Sequence, residues 1–199
     1  MTSAERRAAI IEAAVDLFSQ YGFRGTTTRE LAAAVGVSEP VLYQHFATKR
    51  DLYAAIVEHM LEHVTTRFEA QIELLPDDAT DEQYFRWLAE QIWLWYEEDT
   101  KYIRLLMFSS LEGYELSDMW HEPAMGTLLS HVNRVVESRM ESGDFRKMPP
   151  LLATEALFGP VAHVCMLTKL FGCPLEGINK ESVIQEFVNI FLNGIRHRA

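Results

Sequence analysis

Much of what an enzyme or a secreted protein needs is missing from this sequence. Cys165 and Cys173 are its only cysteines and do not form a CxxC, so neither a disulfide framework nor a zinc knuckle is expected. A reducing, cytoplasmic setting follows from that scarcity. Apolar runs stay well short of the ~20 residues that span a bilayer, so no membrane partner is expected. The opening "MTSAERRAAIIEAA" sets Glu5 and Glu12 around a short apolar run, which does not suit a secretory signal. No GxGxxG, P-loop or GxSxG occurs, which leaves a nucleotide site or nucleophile elbow without residues and argues against an enzyme or a cofactor. Strand-type alternation, internal repeats and Pro/Gly/Ser-rich linkers are also absent.

What is present is a chain of 199 residues, 48% hydrophobic, enough for a substantial core. The net charge of −11 argues at first against a nucleic-acid partner. Its distribution removes that objection. Residues 1–50 carry six Lys/Arg against five Asp/Glu, whereas residues 51–199 carry twelve against twenty-four. Salt screens charges beyond about 8–10 Å, so a cationic end can meet phosphate despite an acidic body.

Period-3.6 patterning dominates. Ile10, Ala14, Leu17, Phe18 and Tyr21 line one face of a first helix that stops at Gly22. Thr27-x-x-Glu30 is a capping box opening a second helix, closed by Gly36. Ser38 stands where it can cap a short third helix holding the apolar pair Leu42 and Phe46. Thr48-x-x-Asp51 opens a long fourth helix, expected to run to Leu75 before Pro76. Further helices are expected over 82–98, 100–111, from Glu122-Pro123 to Ser142, from Pro149-Pro150 to Gly172 with a kink at Gly159-Pro160, and from Asn179 onward. The fold class is all-α with about nine helices: a helix-turn-helix domain over residues 1–50, then a larger helical domain over 51–199.

Helices two and three, joined by a short glycine turn, spell a helix-turn-helix. Arg29 sits in the first turn of helix two, and Lys49 and Arg50 open helix four. A cation there opposes the helix dipole at a cost of about 0.3–1 kcal/mol, which marks a functional position. Paired with free N–H groups at a helix start, it forms a phosphate-binding arrangement. With Leu42 and Phe46 turned inward, Pro40, Tyr43 and Gln44 face out, with Glu39 and His45 towards the edges. In a major groove Glu39 is suited to accept from a cytosine amino group and Val41 to touch a thymine methyl.

The run "TTTRELAAAVGVSEPVLYQHFATKRDLYAAIV" closely resembles the DNA-binding domain of the TetR family of transcriptional regulators, over about residues 8–57. The resemblance implies a homodimer with the third helix in the major groove of an inverted-repeat operator, and a C-terminal domain that binds a small-molecule effector. By position it also implies that Thr28, Arg29, Tyr43, His45 and Lys49 contact DNA, mostly at phosphate. Ser38 precedes the recognition helix, and Glu39, Pro40, Val41 and Gln44 take its variable base-reading positions.

Beyond residue 57 no motif guides the reading. His59-x-x-x-His63, beside Glu62, has the spacing of two metal ligands on a helix but no third partner, so no metal is expected. His163 and Cys165 are expected in the core. Trp93, Met107, Phe108, Trp120 and Met125 are surplus to a thin bundle, and family placement of the effector cavity assigns them to it. Few cations accompany them, which favours an uncharged, apolar or aromatic ligand. The last two helices have apolar faces wider than the ~100° stripe one core needs. Leu157, Val164, Leu167, Phe187 and Phe191 are therefore assigned to a two-fold interface built as a four-helix bundle. The expected function is a DNA-binding regulator, most simply a repressor. The alternative is a helical ligand-binding or interaction module that no longer engages DNA, which Tyr43 and Lys49 weigh against.

Overall fold

The computed structural model describes residues 2–76, 78–98, 100–113, 119 and 129–196. Among these are nine α-helices and no strand, only the isolated bridge between Phe145 and Arg196. The helices are α1 (Ser3–Gly25), α2 (Thr28–Val35), α3 (Glu39–His45), α4 (Lys49–Ile72), α5 (Asp81–Glu98), α6 (Thr100–Glu112), α7 (Ser130–Ser142), α8 (Pro150–Cys165) and α9 (Lys180–Ile195). The chain divides into two compact units.

The first unit comprises Met1–Val64 and Lys101–Pro123, so it reaches past the boundary expected at residue 50 and recruits α6. The reason lies in packing. Ile10, Ala14 and Phe18 of α1 are buried with Leu31, Leu42, Phe46, Leu52, Tyr53 and Ile56, and α6 adds Ile103, Leu105 and Leu106. Phe18, Phe23 and Tyr53 form an aromatic triangle with centroids 5.6–6.2 Å apart. Polar contacts join α6 to α1: Lys101 pairs with Asp16 at 2.6 Å, and Arg104 Nε donates to the Ser19 carbonyl at 2.8 Å. A core of α1 to α3 alone is small for independent stability, and α4 and α6 enlarge it.

The second unit comprises Thr65–Thr100 and Ala124–Ala199. Helices α5, α8 and α9 pack on one another, and α7 packs on α8. Phe85 lies 4.8 Å from Phe191 and 6.0 Å from Phe145, ring to ring, inside a core that also holds Leu88, Val136, Leu157 and Ile184. Helix ends follow sequence chemistry. Asn179 Oδ1 accepts from the Ser182 N–H at 2.8 Å, and Gly143 closes α7 at φ 87°. A capping box at Thr80 and Gln83, unremarked in the sequence, opens α5.

Several expectations shift. Helix α4 ends at Ile72, because the N–H groups of Leu74 and Leu75 bond only three residues back, tightening the last turn. Glu122 and Pro123 lie outside the described residues. Pro160 sits inside α8 without ending it, and the irregularity comes later as a π-helical turn at Met166–Leu170. Pro150–Leu170 as a whole is long and apolar enough to cross a membrane, contrary to the sequence expectation. One side of it is instead packed on α5, α7 and α9. His163 is exposed rather than in the core, whereas Cys165 is fully buried.

Candidate nucleic-acid interface

The candidate surface is built by α2, its turn and α3. Thr27 opens α2 as expected: its hydroxyl accepts from the Glu30 N–H at 3.2 Å while Glu30 accepts from the Thr27 N–H at 2.7 Å. These bonds hold the Glu30 carboxyl below its ordinary range. Gly36 ends the helix at φ 71°, the left-handed region, with Gly36 N–H donating to Ala33 and Val37 N–H to Ala32. That pair of bonds is a Schellman motif, and it turns the chain into α3 within three residues. Ser38 precedes α3 without a side-chain cap bond, so it contributes backbone geometry and leaves its hydroxyl exposed.

Leu42 and Phe46 anchor α3, at 2% and 5% exposure. Their register fixes the rest of the helix. Pro40, Tyr43 and Gln44 are exposed, and Glu39, Val41 and His45 are half-buried at its margins. Arg29 is exposed in the first turn of α2. The layout predicted from i, i+4 spacing is the one observed.

Two expected DNA contacts take other partners. The Thr28 hydroxyl donates to Glu39 Oε2 at 2.7 Å, linking the first turns of α2 and α3. The Lys49 ammonium points back at α1, donating to the carbonyls of Phe23 and Thr26 and lying 4.2 Å from the Phe23 ring centroid. Burial moves the Lys49 pKa down, which the nearby Glu112 carboxylate partly offsets. No sequence spacing announced either bond, because the partners come from different helices.

Comparison with known proteins gives this surface its kin. Residues 10–56 match the family of bacterial regulatory proteins of the tetR type. Residues 10–56 form a TetR-type N-terminal domain. The HTH-type transcriptional activator FasR of Mycolicibacterium smegmatis is 30% identical over 102 residues, 51% of this chain and 45% of FasR. The tetracycline repressor protein class A of transposon 1721, from Escherichia coli, is 50% identical over 52 residues, 26% of this chain and 24% of that repressor. The matched stretches span 45% and 24% of these two relatives' own lengths. A crystal structure of a TetR family transcription regulator from Marinobacter aquaeolei VT8 matches with a TM-score of 0.76 and 20% identity, covering 97% of this chain and 96% of that one. That likeness extends the TetR fold over both units.

The residues assigned to an effector fall in both units and outside the described residues. Trp93 is buried in the core of the second unit. Met107 and Phe108 belong to the first unit, where Phe108 packs against Gly22 of α1. Trp120 and Met125 lie outside the described residues. A different aromatic group stands in the second unit: Phe68 is 5.2 Å from Trp87 and 5.8 Å from His131, and Tyr84 is 5.9 Å from Trp87. The Tyr84 hydroxyl and Trp87 indole N–H are buried there without a partner. His131 continues into a surface groove of about 330 Å³ lined by Arg134, Val135, Ser138 and Arg139.

The interface residues also divide. Leu157, Val164 and Phe191 are buried within the subunit, at 1%, 8% and 5% exposure, and are core rather than contact residues. Leu167 and Phe187 are half-buried. The apolar side chains left open on these helices are Leu151, Leu152 and Ile190. Helical periodicity detected the width of the apolar face but not which edge of it faced the core. His59 and His63 are both exposed on α4, and no described group of three His, Cys, Asp or Glu residues is placed to hold a metal.

Proposed function

We propose that this protein is a sequence-specific DNA-binding transcriptional regulator, a cytoplasmic homodimeric repressor released from an inverted-repeat operator by a small apolar or aromatic molecule. The observation that carries the reading is the one-sidedness of α3. Leu42 and Phe46 hold it to the core, while Pro40, Tyr43 and Gln44 are exposed, as is Arg29 in the first turn of α2. A short helix with an exposed tyrosine and proline, next in the chain to a helix with an exposed cation in its first turn, suits a major groove and its phosphates.

The effector half of the reading is supported by the aromatic group of Phe68, Tyr84, Trp87 and His131. Two buried donors without acceptors cost free energy unless a partner arrives. An aromatic ligand carrying a hydrogen-bond acceptor would satisfy them. Helix α4 supports a coupling role, since its residues to Val64 belong to the first unit and those from Thr65 to the second. A ligand shifts an operator equilibrium only through differential affinity for two states, and a coupling of about 1–3 kcal/mol is ordinary.

The test is fluorescence anisotropy of the purified protein on its own upstream DNA, against scrambled DNA, at several salt concentrations. Specific binding with a log-linear loss in salt is expected. Equal affinity for both sequences would defeat the proposal. A promoter–reporter fusion reads the sign of control: output should rise when the protein is removed.

A further inference from the structure

We propose that Thr28 is a positioning residue for Glu39, and that the pair commits one position of each operator half-site to C·G by presenting a carboxylate oxygen to the cytosine amino group. The inference rests on the DNA-binding reading above and deepens it. Glu39 opens α3, and the first turn of such a helix is the part that reaches base edges. A glutamate there, unrestrained, would spread over several rotamers and read poorly. Here the Thr28 hydroxyl donates to Glu39 Oε2 at 2.7 Å, which restrains the side chain and engages one of its oxygens. Oε1 is the oxygen we assign to a base.

The chemistry of that oxygen selects the partner. An ionised carboxylate only accepts hydrogen bonds. In the major groove guanine shows two acceptors and thymine an acceptor with a methyl group, so both repel or ignore it. Adenine and cytosine each offer an amino group, but adenine sets the N7 acceptor beside it, whose lone pair opposes a carboxylate. Cytosine carries no acceptor on that edge. The neighbours agree. Pro40 and Val41 complete the first turn of α3 without a donor that could read guanine. Glu39 makes no ion pair among the described residues that would withdraw it from this role.

The arrangement also reassigns Thr28. A threonine whose hydroxyl binds phosphate affects all sequences alike, whereas one that orients a base-reading carboxylate affects a single position. Selection from a randomised duplex library separates the two, using wild type, Glu39→Gln, Glu39→Ala, Thr28→Val and Thr28→Ser, with melting curves to confirm folding. Wild type should favour cytosine at one position per half-site by roughly ten- to a hundredfold, in the range of a good base contact. Glu39→Ala should erase that preference, and Glu39→Gln should move it towards adenine, which a side-chain amide can pair at two points. Thr28→Val should blunt the same position several-fold while leaving the salt slope unchanged, and Thr28→Ser should restore it. A Thr28→Val variant that weakens every sequence equally and flattens the salt slope by about 0.9 would make Thr28 a phosphate contact and overturn the proposal. A wild-type motif without a Glu39-dependent cytosine would overturn it while leaving the regulator reading intact. No selected motif at all would defeat that reading itself.

Discussion

Lys49, the first residue of α4, donates to the Thr26 carbonyl at 2.8 Å and so ties the start of the long helix to the end of α1. The same ammonium donates to the Phe23 carbonyl and stacks on the Phe23 ring. A cation at a helix N-terminus is unfavourable for its own helix, but here it caps the exposed carbonyls of a neighbouring one. The sequence-level anomaly is thereby explained within the subunit.

The first prediction follows. Hydrogen bonds to a charged group contribute about 1.5–3 kcal/mol and a cation–π contact about 0.5–1, less where solvent reaches them. Lys49→Ala should therefore lose about 1–2 kcal/mol and several degrees of thermal midpoint, by circular dichroism. The salt slope of operator binding should stay within about half a unit of wild type, because the ammonium is spent on carbonyls. Unchanged melting with a slope flatter by a full unit would return Lys49 to the phosphate contacts.

Gly22 carries the second. At φ 74° and ψ 172° it occupies a region open essentially to glycine, and it interrupts the helical dihedrals of α1. A Cβ there would fall 2.2 Å from Glu112 Oε1 and 3.1 Å from Phe108 Cδ1. Glu112 is held in place by the Arg24 N–H, which donates to its other oxygen at 3.0 Å. Gly22→Ala should cost about 1–3 kcal/mol from the dihedral alone, with more from the Glu112 contact. Adding Glu112→Ala should remove the clash but not the dihedral cost. A Gly22→Ala protein that melts like wild type would show that the turn is not strained.

The sequence made local features legible and left cross-chain ones hidden. The capping boxes at Thr27 and Thr48, the glycine turn at Gly36 and the burial of Leu42 and Phe46 all depend on residues within a few positions of each other. Periodicity and capping chemistry read such features directly. Thr28 with Glu39, Lys49 with Thr26, and Glu112 with Arg24 join residues 11, 23 and 88 positions apart. Nothing in composition announces them. Recruitment of α6 into the first unit escaped for the same reason, as did the inward side of Leu157, Val164 and Phe191.

A third prediction concerns the two thiols. Cys165 is fully buried, and loss of hydration pushes its pKa up to about 11, whereas Cys173 is exposed. The thiolate is the reactive form, and at pH 8 a thiol of that pKa is about 0.1% ionised. Iodoacetamide should therefore modify Cys173 in the native protein, and both cysteines only after denaturation, as read by peptide mass. Equal labelling of the two under native conditions would show that Cys165 is not held in a closed core.

The last prediction tests assembly by separating the two faces of α8 and α9. Ile190 is 64% exposed and Leu152 is 56% exposed, whereas Leu157 is 1% exposed. If a second copy covers the outer face, Ile190→Asp places an unpaired charge in the interface while leaving the subunit core untouched. If no copy covers it, the same charge remains in water and costs almost nothing. Leu157→Asp instead buries a charge within the subunit and should abolish folding in either case, which makes it the control. We expect wild type to sediment as a dimer at micromolar concentration. Ile190→Asp should sediment as a folded monomer with wild-type helicity, and its operator affinity should fall steeply because two half-sites are no longer bound together. A dimer that survives Ile190→Asp, together with the paired substitution Leu152→Asp, would place the interface elsewhere. A wild type that is monomeric under these conditions would remove the two-fold operator from the proposed function.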